Sequence, residues 1–285
     1  MANIRDIRRR IRSAKNIQQI TRAMKFVSAA RLRKAQDRVL AARPYARQMI
    51  AVLNSLATRV PAEAHPLLAT RGDARIELVV ITADRGLCGA YNTNIIRHAL
   101  DFLARHSDRE MELSIFGKRA RDFFRRRPYA VRREAIGVLQ KPTLADAAAI
   151  AKDLIDEFVQ GKKDQIWLVY NEFKSVVQQR IVVEPLLPIQ RLESPDDAGR
   201  QEYLYDEPPE KIFSNLLPRH VEAQVFRALL EAAASEQGAR MTAMEAATNN
   251  AAEMIEGLTL YANKVRQAGI TRELIEVVSG AASTE

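Results

Sequence analysis

The chain has 285 residues, 47% of them hydrophobic, and a formal net charge of +9, which is ample apolar material for a core without disulfide staples. Its one cysteine excludes an intramolecular disulfide framework and points to a reducing compartment. No apolar run approaches the roughly 18 residues of a membrane-spanning helix, and the Arg and Lys of the first segment exclude a secretory signal peptide.

The positive charge is concentrated at the start. Residues 1–47 hold 14 Lys and Arg against Asp6 and Asp37, a local charge of +12 that leaves −3 for the rest. A solvated helix is normally laced with both signs, so the missing acidic partners are expected in another molecule. The same segment carries a helical apolar stripe: Ile4, Ile7, Ile11, Ala14, Ile17, Ile20, Met24 and Val27, resuming at Leu32, Ala35, Val39 and Ala42. It predicts a long amphipathic helix over residues 1–60, kinked or ended at Pro44 and broken at Pro61.

The pattern then changes. "RIELVVITA" reads as a buried strand, "NTNIIRHALDFLARHS" as a helix, "MELSIFG" as a strand and "KRARDFFRRR" as a short helix. "AVRREAIGV" reads as a strand, "TLADAAAIAKDLIDEFVQ" as a helix capped by Thr143, "DQIWLVYN" as a strand and "KSVVQQRIVVEPLLPI" as a last extended segment. Alternation of strands and helices implies a mainly parallel, Rossmann-like α/β domain over residues 74–190. A polar stretch at 191–215 reads as a linker or foot loop. Residues 216–285 return to helix, with Met241, Met244, Thr248, Ala251, Ile255, Leu258, Ala262 and Val265 alternating steps of three and four as in a coiled-coil seam. The overall class is therefore α+β: an antiparallel coiled coil of the two terminal helices with an α/β domain inserted between them.

"ITADRGLCGAYNTN", at 81–94, is the stretch most like an active site, yet it fails each chemical test. Gly86 and Gly89 match neither the dinucleotide fingerprint nor the Lys-Ser/Thr phosphate loop. A Cys88 nucleophile needs a histidine base and an orienting group, and none of the four histidines is suitably placed. No metal-ligand spacing is present. Neither catalytic residue nor cofactor is therefore assigned. A basic coiled coil that binds RNA or acts as a scaffold is the rival reading, against which stands the scarcity of aromatics for base stacking, with only Phe26 and Tyr45 in the basic segment.

Four segments carry a family resemblance: "ITRAMKFVSAARLRKAQ" (20–36), "TADRGLCGAYN" (82–92), "SEQGARMTAMEAATNNA" (235–251) and "RQAGITRELIEVVSGA" (266–281). In this order they resemble the gamma subunit of F-type ATP synthase, of the bacterial type. The resemblance implies a non-catalytic rotor shaft: terminal helices inside a ring of three alpha and three beta subunits, and an α/β foot on the c-ring beside the epsilon subunit. It implies one copy per complex, no nucleic acid, and a peripheral location on the cytoplasmic face of the bacterial inner membrane. Contacts with the alpha-beta ring are expected at Arg22, Met24, Lys25, Asp84, Arg85, Cys88, Arg240, Arg266, Gln267, Thr271 and Glu273. Contacts with the c-ring or epsilon are expected at Tyr203, Tyr205 and Glu207.

Overall fold

The computed structural model describes residues 4–57, 65–176, 178–190 and 206–282. Along the chain run α1 (Ile4–Ala57), β1 (Arg75–Ile81), α2 (Tyr91–Arg105), β2 (Glu110–Phe116), α3 (Lys118–Phe124), β3 (Ala130–Ala135), α4 (Leu144–Val159), β4 (Gln165–Phe173), β5 (Gln179–Leu187) and α5 (Pro209–Ala282). Two compact units result, one of Met1–Ser28 with Met241–Glu285, the other of Ala29–Arg240.

The larger unit is built on a sheet of order β3-β2-β1-β4-β5, parallel except for antiparallel β5 at one edge. Strand β1 is central and apolar on both faces, which suits a strand covered on both sides. Ile76, Leu78 and Val80 meet α2 and α3 through Tyr91, Ile95, Phe102, Ala120 and Phe124. Val79 and Ile81 face the opposite layer, where α4 (Ile150, Leu154, Phe158), the end of α1 (Met49, Leu53, Leu56) and the start of α5 (Phe213, Leu217, Val221) share one core. Right-handed crossovers explain the arrangement: the chain steps outward from β1 to β3 over one face, then must use the other face to return through α4 to β4.

Two polar devices pin this frame. Thr143 caps α4 in a reciprocal capping box with Asp146, as its sequence position predicts. Glu77, wholly buried on β1, accepts from Ser114 Oγ at 2.5 Å and from Arg132 at 2.8 Å, and Arg132 also reaches Asp153 on α4 at 2.7 Å. A buried carboxylate is tolerable only with such partners, so this chain of charges fixes β3 and α4 against β1.

Helix limits differ from expectation in two places. Pro44 lies inside α1, so it does not end the helix. Residues 209–215, expected as loop, belong to α5, because Phe213 and Leu217 start the apolar stripe that Val221 and Val225 continue into the core.

His220, buried on that same stretch with Gln224 at 3.5 Å, gives the unit an acid-sensitive point. Burial, reinforced by the charge of Arg227, pushes its pKa down to about 4 from 6.5. The unfolded chain therefore binds the extra proton between those values, and stability falls as pH drops through that window, by about 3 kcal/mol in all. Comparing His220→Gln with the parent chain by urea unfolding at pH 7 and pH 4.5 should show a flatter acid loss in the variant; equal losses would remove His220 as the cause.

Candidate functional site

In a doubly wound sheet the ligand crevice lies outside the carboxyl ends of the strands where the order reverses, here between β1 and β4. The turn of residues 82–90 occupies that position, and its polar groups are turned inward. Thr82 N–H donates to the Phe116 carbonyl at 2.8 Å, and its hydroxyl accepts from Ala120 N–H at 3.0 Å. Asp84 accepts Lys118 N–H on one carboxylate oxygen and Gly137 N–H on the other, both at 3.0 Å. Asn92 accepts Ala83 N–H at 3.0 Å. The backbone donors after β1, β2 and β3 that could cradle a phosphate are thus held by the chain's own side chains.

Helix α5 closes what remains of the crevice. Tyr91 donates its hydroxyl hydrogen to the Ala232 carbonyl at 3.0 Å, and Phe173 N–H, at the end of β4, donates to Glu231 at 3.1 Å. Arg240 pairs with Glu236 at 2.6 Å and donates to the Gly86 carbonyl at 3.3 Å. Both members of the pair are buried, and burial pushes the Glu236 carboxyl up while Arg240 pulls it down. The turn is a strap between the sheet and α5.

These contacts describe three of the residues expected on a partner-facing surface. Cys88 is 1% exposed, with Asn92 Nδ2 3.1 Å from its sulfur, and burial raises its thiol pKa, so it is a core residue in its neutral form. The Asp84 carboxylate is taken up by two neighbouring loops, so it shapes the turn. Arg240 is buried in its ion pair and anchors α5. Of Asp84, Arg85, Cys88 and Arg240, Arg85 is the exposed one. Sequence reasoning missed its neighbour Leu87, 64% exposed with φ 61, a left-handed conformation that a branched apolar residue rarely adopts.

In the smaller unit the two helices run antiparallel. Lys25 Nζ meets Glu245 at 2.6 Å and the Thr21 and Thr248 hydroxyls lie 2.8 Å apart, so advance on one helix is retreat on the other. The C-terminal seam is as predicted, with Met244 and Ala251 buried and Met241, Thr248, Ile255, Leu258, Ala262 and Val265 half-buried. The N-terminal seam is so in part: Ile7 and Ala14 are buried and Ile4, Ile11 and Met24 half-buried, but the fully buried positions continue at a seven-residue step through Thr21 and Ser28, leaving Ile17, Ile20 and Val27 outside, Ile20 at 59%. Small side chains at 14, 21, 28 and 251 let the backbones approach, and the larger apolar residues are displaced outward. Beside them stand exposed Arg22 and half-buried Met24 and Lys25.

Extending the register places Ile4 opposite about residue 265. Beyond it α5 is exposed at every described position through 279, including Arg266, Gln267, Thr271 and Glu273. The Thr271 hydroxyl donates to the Gln267 carbonyl at 3.0 Å, a bond within the helix. Ile270, Leu274, Ile275, Val277 and Val278 are large apolar side chains in water, Val277 at 70%. Glu207 is exposed and pairs with Lys211 at 2.7 Å; Tyr203 and Tyr205 lie outside the described residues. Among the described residues no group of three or more His, Cys, Asp and Glu could hold a metal ion.

Comparison with known proteins agrees over the whole length. The sequence profile of the ATP synthase family matches residues 3–284. The chain is 53% identical to the ATP synthase gamma chain of Solibacter usitatus, over 100% of both chains. It is 48% identical to that of Desulfitobacterium hafniense, again over 100% of both. Among solved structures it is similar to a chain of the central stalk and c-ring of the Tetrahymena thermophila mitochondrial ATP synthase, at 26% identity and TM-score 0.61, covering 80% of this chain and 99% of that one. A Euglena gracilis mitochondrial ATP synthase chain shares the fold at TM-score 0.69 and 21% identity, covering 99% of this chain and 94% of that one.

Proposed function

The chain belongs to the ATP synthase family as a gamma chain, and we propose from that premise how its parts divide the work of a rotor shaft. It is the non-catalytic central-stalk subunit of a membrane-associated complex, coupling rotation to conformational change in the nucleotide-binding subunits. The complex it joins has three alpha and three beta subunits around one copy of this chain, with epsilon and the c-ring below, on the cytoplasmic face of the membrane. Its parts are a shaft of residues 1–60 and 216–285, an α/β domain at 74–190 into whose unit residues 29–57 and 209–240 of the two shaft helices are packed, and a linker or foot at 191–215 whose last residues open α5.

The observation that carries this reading is the tail of α5. A helix with five large apolar side chains in solvent and no neighbouring helix is unstable in water unless something encloses it. A ring of subunits supplies that enclosure, and side chains on all sides of the helix suit a socket in which it turns. Arg266, Gln267, Thr271 and Glu273 are the polar contacts there. Lower on the shaft, Arg22, Met24 and Lys25 together with exposed Ile17 and Ile20 form the ring-facing surface, where the local +12 attracts acidic loops over distance without fixing one angle. Arg85 and Leu87 add the upper face of the α/β domain. Tyr203, Tyr205 and Glu207 meet the c-ring or epsilon.

Reconstitution with alpha and beta subunits tests the reading. The purified chain alone should hydrolyse no ATP, and the assembled complex should. Arg266→Ala with Gln267→Ala should lower coupled hydrolysis or assembly several-fold while the melting of the α/β unit stays unchanged; full activity in the double variant would strike both residues from the contact surface.

A further inference from the structure

The excess of positive charge is not confined to α1. Residues 118–134 hold eight Lys and Arg against Asp122 and Glu134, a local +6 hidden inside the −3 of the chain beyond residue 47. The structure divides this group. Arg132 and Arg133 are engaged by Glu77 and Asp153, and Arg121 by Asp122. Arg125, Arg126 and Arg127 are exposed on the turn between α3 and β3, and none forms an ion pair with a described carboxylate.

The turn is preformed. Arg125 N–H donates to Arg121 O at 3.0 Å, Arg127 N–H to Phe124 O at 2.9 Å and Tyr129 N–H to Arg127 O at 2.8 Å. The Arg127 guanidinium lies 3.5 Å from the centre of the Phe123 ring, and Phe124 and Tyr129 pack edge to face at 5.6 Å beneath.

Its place in the fold suggests a partner. In a parallel sheet every strand begins at one edge, and the 125–129 turn, just before β3, lies at that edge, opposite Arg85 and Leu87. Helix α5 rises across the sheet from this edge, since its Arg227 meets Glu184 within β5 and its Glu231 meets the far end of β4. Glu207, just before α5, is on the same side.

We propose that Arg125, Arg126 and Arg127 form a docking surface for the phosphate groups of anionic phospholipids. This rests on the reading of the chain as part of a membrane-associated complex with Glu207 on the membrane side. Guanidinium forks bind phosphate oxygens bidentately. Three consecutive exposed guanidiniums offer separate forks to the separate headgroups of an anionic layer. Laterally mobile headgroups also exchange as the rotor turns, so the contact steadies the foot without stopping it. Each near-surface Arg is worth about fivefold in partitioning, roughly 100-fold for all three.

The test is flotation of the assembled complex of this chain with alpha and beta subunits, at low salt, on phosphatidylcholine vesicles with and without 30 mol% phosphatidylglycerol (about that fraction gives an anionic surface). The parent complex should bind only the anionic vesicles, and Arg125→Gln with Arg126→Gln and Arg127→Gln should lose on the order of 100-fold with unchanged thermal melting. Equal binding by the triple variant overturns the proposal. So does a variant that binds vesicles normally but loses a co-purifying subunit, which would assign the turn to an acidic protein. Failure of the parent chain to assemble at all would instead sink the rotor reading; vesicle flotation of the full chain alone, compared with the same triple variant, then decides the lipid proposal by the same ratio.

Discussion

Gly117→Ala is expected to unfold the larger unit at temperatures where the parent chain is stable. Gly117 sits between β2 and α3 with φ 111, and a Cβ there would stand 1.9 Å from the Thr82 carbonyl oxygen. That oxygen belongs to backbone at the carboxyl end of β1, in a turn already tied to β2 and α3 through Thr82 and to Gly137 through Asp84. Neither strand can move without breaking the sheet, so the loss combines left-handed strain with an unrelieved clash, at least about 3 kcal/mol. For a unit of this size that is a melting-point drop of roughly 8 °C or more. Gly137→Ala is the natural control: φ is 89 but nothing lies within 4 Å of its added Cβ, so only the strain of about 1–2 kcal/mol applies. Thermal unfolding of the two variants side by side checks the argument, and equal losses would show that the contact with Thr82 is not the cause.

Arg240→Ala should be nearly as damaging, for an electrostatic reason. It strands the Glu236 carboxylate in a buried site and removes the donor to the Gly86 carbonyl, and breaking one side of a buried pair costs about 3–5 kcal/mol. Glu236→Leu combined with Arg240→Met removes both charges at similar volume and should recover most of that loss. The pair thereby separates two roles. If Arg240 acts only as an anchor of α5 to the β1–α2 turn, the double variant in an assembled complex keeps its ATP hydrolysis; a well-folded double variant with hydrolysis reduced tenfold or more would return Arg240 to the ring contact first expected of it.

The elements legible in the sequence are those whose period is set by burial on a single rule. Strand β1 is apolar on both faces, α4 announces itself with a Thr143 cap, and the C-terminal seam from Met241 to Val265 keeps its three-four alternation and packs as written. Elements with two competing claims on the same residues were harder. On α1 the large apolar residues Ile17, Ile20 and Val27 follow helical spacing yet lie outside, because close approach of two helices favours Ala14, Thr21 and Ser28. In the proposed rotor their apolar character serves a surface that another subunit covers, and a single sequence does not distinguish that from a core. The polar stretch at 191–215 concealed the start of α5, where Phe213 and Leu217 were the better signal.

The candidate contacts divide along the same line. Sequence position picked out the turn at 82–90, but which of its groups are tied inward depends on hydrogen bonds to residues 34 to 154 positions away. Asp84 and Arg240 turn inward for that reason and Cys88 joins the apolar core beside them, while Arg85 and Leu87 stay out. On the tail of α5, by contrast, no neighbour intervenes, so every described residue from Arg266 to Ser279 is exposed, as a lone helix must be.

Rotation itself is the most direct measurement. With the alpha and beta subunits fixed to a surface and a bead attached at Glu207→Cys in a Cys88→Ala background, addition of ATP should drive the bead through repeated full turns in one sense. A complex that hydrolyses ATP at an undiminished rate while the bead only fluctuates about one angle would contradict the assignment of this chain as the rotor shaft.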